Sequence, residues 1–82
     1  MTVLKELEKK MKLADEHWGV AAEQVTTHPS EAFESICAAR EILSEAWTTL
    51  EANAEFSGLI VGRMMEIDNG LAALERVLRR GG

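Results

Sequence analysis

Asn53-Ala-Glu-Phe-Ser-Gly58 is the stretch whose conformation separates two possible folds. On its N-terminal side Ala32, Ile36, Ala39, Leu43, Ala46 and Leu50 recur at alternating spacings of four and three. On its C-terminal side Ile60, Met64, Ile67, Leu71, Leu74 and Leu78 do the same. That spacing lines apolar side chains along one face of an α-helix, the a and d positions of a heptad. Asparagine, serine and glycine are turn formers, so the stretch can divide two helices. The heptad phase nevertheless continues through it, with Asn53 at a d position and Ser57 at an a position. One architecture is an antiparallel three-helix bundle with helices at about 2–27, 30–53 and 57–80. The other is a helical hairpin whose second helix runs unbroken over 30–80 and dimerises to cover its long apolar stripe. The similar lengths of the three segments and the Asn/Ser/Gly cluster favour the bundle.

Upstream, Leu4, Leu7, Met11, Ala14, Trp18, Ala21 and Val25 carry the same three-four pattern. It stops at Thr26-Thr27-His28-Pro29-Ser30-Glu31. Proline disfavours helical geometry in the residue before it and suits the first turn of a new helix. Glu31 then meets the positive end of the helix dipole, while Thr27, His28 and Ser30 all qualify as the cap. Phe33, Ile42 and Trp47 widen the apolar face of the second helix. Asp68-Asn69-Gly70 is a second point at which the third helix could end early. Strand signals are missing: there is no tyrosine and no sustained alternation of apolar and polar residues. The reading is one all-α domain over 1–82.

With 82 residues the chain has little surface to bury, and its single cysteine, Cys37, cannot form an internal bridge. Regular helix packing, oligomerisation or both must make up the difference. Cys37 sits one step beyond Ile36 and reads as a small buried residue rather than a reactive thiol. The N-terminal residues alternate charged and apolar types without a signal-peptide core, and no stretch approaches the roughly 20 apolar residues of a membrane span. A cytoplasmic protein without membrane contact is expected.

Formal charge is −5, unevenly placed. From Leu13 to Gly62 nine acidic residues face one basic residue, Arg40, while lysines gather near the start and Arg76, Arg79 and Arg80 near the end. Such a middle repels nucleic acid and favours basic partners. His17 and His28 have no second ligand at metal spacing, and no Glu-x-x-His pair occurs. Neither a catalytic residue, a metal nor a cofactor is therefore expected, and the protein is read as no enzyme.

Three surfaces exceed what a solitary bundle needs. Leu59, Val61, Met64 and Met65 cover most of the circumference of the third helix, beside Gly58 and Gly62 four apart. A helix apolar all round is normally buried on all sides, so this segment reads as a self-association surface. Leu13 and Val20 occupy c positions of the first helix, with His17 between them. A wide core face would bury them; otherwise they form a second contact stripe. Glu34, Glu41 and Glu55 share the f position of the second helix, with Glu31 and Glu45 beside them at c, as an acidic ridge for a basic partner. The function expected is a non-enzymatic helical protein–protein interaction module (adaptor, regulator or structural subunit) that self-associates as a homodimer. The alternative is a small acidic inhibitor, of viral or mobile-element type, that blocks a basic nucleic-acid-handling protein.

Overall fold

The two turn regions divide the chain into α1 (Thr2–Gln24), α2 (Pro29–Ala52) and α3 (Ser57–Gly81). The structure is a computed structural model and describes residues 2–53, 55 and 57–81, the side chains of Thr2, Ser57 and Leu59 excepted. The first turn follows from Pro29. His28 takes the N-cap position in a non-helical conformation (φ −136°, ψ 71°) and Pro29 opens the helix, needing no partner for an N–H it lacks. The His28 carbonyl accepts from Ala32 N–H at 2.9 Å, which begins the helical ladder. His28 and Thr27 also donate their own N–H groups back to the Gln24 carbonyl, at 2.7 and 3.2 Å. This closes α1 at Gln24, three residues before the expected end at 27. No side chain caps α2 at its N-terminus.

The second turn settles the architecture. Asn53 leaves the helix at φ −136°, ψ 58°, and its backbone N–H donates to Leu50 O at 3.0 Å. Its side-chain Nδ2 donates to Thr49 O at 2.9 Å. Both bonds satisfy carbonyls that a continuing helix would have used, so α2 stops. A helix over 30–80 would be about 76 Å long, whereas the molecule measures 42 × 17 × 15 Å. The alternative of a hairpin with one long helix is thereby excluded, and the fold is an all-α three-helix bundle.

Ion pairs fix the directions of the helices. Lys10 meets Glu45 at 3.0 Å, so α1 and α2 are antiparallel about the Pro29 turn. Arg40 meets Glu75 at 2.7 Å, making α2 and α3 antiparallel, and Arg63 meets Asp15 at 3.3 Å, making α1 and α3 parallel. In this register Ala14 lies level with Ala39, and Ala21 with Ala32; all four are fully buried, as is Ala46 level with Leu7. Alanine opposite alanine lets two helices approach closely. The α1–α2 contact is accordingly the most extensive, and α3 lies against both in equal measure. From α3, Met64, Ile67 and Leu71 fill the groove between the pair, with Ile36 and Leu7 completing the core. Among the described residues no polar or charged side chain is buried, and no helix is long and apolar enough to cross a membrane.

α3 runs through Asp68-Asn69-Gly70 without a break. Gly70 is explained instead by packing. A Cβ at this position would overlap the Trp18 indole at Cζ2, Cε2 and Nε1, so the ring rests directly on the α3 backbone. Gly19 has no such contact, and nothing in the structure explains it. The predicted widening of the α2 face is corrected in part: Ile42 packs on the core, but Phe33 and Trp47 are exposed.

Gly70→Ala separates packing from propensity. Helix propensity alone would stabilise this variant by about 1 kcal/mol. Displacing the indole from a packed site costs about 1–3 kcal/mol. Net destabilisation is expected in thermal unfolding, with a red shift of Trp18 emission in a Trp47→Phe background. An unchanged spectrum with a raised melting temperature would contradict the contact.

Candidate interaction surfaces

A three-helix rod has three flanks, and the ion pairs assign the side chains to them. Taking Met11, Leu43 and Met64 as a positions, Lys10 and Gln24 are g residues of α1. They reach the c residues Glu45 (3.0 Å) and Glu31 (3.2 Å) of α2. Arg40 and Glu75 are both e residues and mark the α2/α3 flank. Asp15 at e of α1 and Arg63 at g of α3 mark the α1/α3 flank. Side chains at b or c of each helix then stand near the middle of a flank, and f residues along the outer edges.

Leu13 and Val20 lie exposed on the α1/α2 flank, at 41% and 44% of full exposure. The wide-core explanation for them is thereby set aside. Half-buried His17 stands between them, and Glu31 and Glu45 border them across α2, each with its carboxylate engaged by α1.

The apolar segment at the start of α3 divides. Met64 is fully buried and belongs to the core; Val61 is half-buried against it; Met65, at b, is 54% exposed. Leu59 lies within α3, but its side chain falls outside the described residues. Gly58 and Gly62 face open space, since a Cβ at either would touch nothing within 4 Å. The structure adds two residues to this surface. Phe33 (50% exposed) and Trp47 (37%) occupy e positions on the same α2/α3 flank. Trp47 is within a turn of the level of Met65, and Phe33 forms a cleft of about 490 Å³ with Pro29, Ser30, Glu34 and Leu78. Among the described residues, half of the large exposed apolar side chains thus share one flank: Phe33, Trp47 and Met65 here, against Leu13 and Val20 on the second and Val77 on the third. Reading Phe33 and Trp47 as widening the core face missed this. The signal available was their common e position, fourteen residues apart.

Glu34, Glu41 and Glu55 are exposed, and among the described residues Glu34 and Glu41 enter no ion pair. The acidic ridge is therefore split: its c members Glu31 and Glu45 are tied to α1, Glu34 and Glu41 stay unpaired along the outer edge of α2, and Glu55 lies beyond the end of α2 at Ala52, which corrects its expected place on the second helix. Cys37, read as a small buried residue, is instead exposed, because its b position lies outside the a/d seam. A second cleft, about 350 Å³, lies between α1 and α3 among Glu8, Met11, Lys12, Asp15, Ile60 and Arg63. Among the described residues no three His, Cys, Asp or Glu side chains gather closely enough to hold a metal ion.

The α2/α3 flank has one electrostatic anchor. A hydrogen bond from Arg40 holds the Glu75 carboxyl below its ordinary value, aided by the charges of Arg40 and Arg79 and opposed by desolvation. A depressed carboxyl stabilises the fold above the unfolded-state value, and that contribution disappears as pH falls through the folded-state value. Arg40→Met is expected to return Glu75 towards the ordinary carboxylate range in an NMR titration and to flatten the acid limb of stability against pH. A titration unmoved by the substitution would contradict the pairing.

Compared with models of protein families, with curated proteins and with solved structures, the chain matches none.

Proposed function

We propose that this protein is a non-enzymatic helical interaction module that self-associates as a dimer through its α2/α3 flank, serving as an adaptor, regulator or structural subunit. One observation carries the reading: Trp47 and Met65 stand exposed at one level of this flank, beside Gly58 and Gly62 with open space above them. Gly62, inside α3, costs about 1 kcal/mol against alanine, and among the described residues no close contact repays it. Close approach by another backbone would. A rod's flank is roughly a third of the 5332 Å² surface, so covering about half of it reaches the ~800 Å² per partner of a stable interface. Tryptophan and methionine are also enriched where partners meet.

A second reading rests on Glu34 and Glu41. As free carboxylates on the outer edge of α2, they suit contact with a basic protein, in the manner of an inhibitor that occupies a nucleic-acid site.

Sedimentation equilibrium of surface variants tests the first reading. Met65→Asp is expected to abolish dimerisation while leaving helicity unchanged, and Leu13→Asp on the α1/α2 flank is expected to leave the dimer intact. Equal loss in both, or loss in Leu13→Asp alone, would assign assembly to another surface. The inhibitor reading predicts instead that Glu34→Lys with Glu41→Lys destroys binding to a basic target, and that wild-type binding weakens steeply with salt.

A further inference from the structure

We infer that the partner on the α2/α3 flank is a second copy held parallel, with α2 of each subunit opposite α3 of the other and Arg79 of the partner subunit seated in the Phe33–Glu34 cleft. This rests on the proposed self-association and adds its symmetry and its specificity contact.

Two closed arrangements bring the flank against itself. With the two-fold axis across the helices, α2 meets α2 running the other way. Among the described residues the unpaired charges on that side of α2 are Glu34 and Glu41 at f and Glu51 at b, and the one base of α2, Arg40, is committed to Glu75. Carboxylates would then face carboxylates, while the arginines at the end of α3 would face the uncharged start of the partner's α3. With the axis along the helices, every residue keeps its level and α2 meets α3. The acidic edge of one copy then lies along Arg76 and Arg79 of the partner subunit, and the contact occurs twice. Like charges opposed at an interface suppress an arrangement, and complementary ones fix its register.

Levels agree in detail. The pairing of Arg40 with Glu75, and the cleft shared by Phe33 and Leu78, put Glu34 level with position 79 and Trp47 level with positions near 65. In the parallel dimer Trp47 therefore faces Met65 of the partner subunit. Phe33 and Glu34 face Arg79 of the partner subunit. An exposed aromatic face next to a free carboxylate is a receptor for guanidinium, by stacking on the ring and by charge-assisted hydrogen bonding. Arg79 is available for this role: its side chain is 75% exposed and only loosely held by Glu75 at 3.6 Å.

The test is a charge exchange read by sedimentation equilibrium at low salt, with circular dichroism confirming that each variant is helical. Glu34→Arg and Arg79→Glu are each expected to raise the dimer dissociation constant about tenfold. Mixed in equal amounts, the two variants are expected to recover wild-type affinity as a heterodimer, because both cross-subunit contacts are then oppositely charged. The double variant should likewise recover it. A wild-type dimer whose single variants are not rescued by mixing would overturn the parallel arrangement and leave self-association standing. A wild-type protein that stays monomeric would overturn both.

Discussion

Alanine opposite alanine sets the distance between α1 and α2, and the rest of the bundle is arranged around that close pair. Ala14 with Ala39 and Ala21 with Ala32 occupy d positions at matching levels and leave no side-chain bulk between the helices. A third helix set against such a pair must bring the volume itself. α3 does so with Ile60, Met64, Ile67 and Leu71, each almost fully buried. Where α1 supplies its bulkiest side chain, Trp18, α3 carries Gly70 to receive it. Close alanine pairs between α1 and α2, and glycine under tryptophan between α1 and α3, let a short chain with one cysteine pack densely.

The same geometry decides what remains uncovered. Three helices around one seam bury their a and d positions and part of e and g, but the middle of each flank faces outward. On two flanks that space holds salt bridges, valine and leucine. On the third it holds Phe33, Trp47 and Met65 beside the Arg40–Glu75 pair, with Ser30, Cys37, Ser44, Gly58 and Ala72 at b positions between the charged Glu51 and Arg79. A surface of small residues with a few large apolar ones is flat enough to meet another such surface. Its edges, acidic along α2 and basic at the end of α3, give it a direction. In the proposed account, the apolar residues supply affinity and the charges supply orientation.

Much of the fold was legible in the sequence because it depends on local chemistry. Pro29 breaks the helix wherever it stands, and the three-four spacing named nearly the whole core, including Met64 at an a position. Other features depend on tertiary neighbours that periodicity cannot show. Asn53 ends α2 through its own side-chain bond to Thr49, yet the heptad phase across it is undisturbed, so pattern alone left a continuous helix open. Gly70 resembled a helix terminus until the Trp18 ring beside it accounted for the glycine. The candidate surface was half legible. An all-round apolar segment pointed to the start of α3, but one residue of offset separates core Met64 from exposed Met65. Phe33 and Trp47 showed only a common e position, since a heptad does not say which flank a third helix covers.

Absolute mass and shape of the wild-type protein in solution, from light scattering combined with small-angle X-ray scattering, test the central claim most directly. Side-by-side assembly through the α2/α3 flank predicts twice the 9.1 kDa chain mass, with a longest dimension still close to the 42 Å of one bundle. A 9.1 kDa particle across the micromolar range would contradict self-association, and a dimer about twice as long as one bundle would contradict the flank as its site.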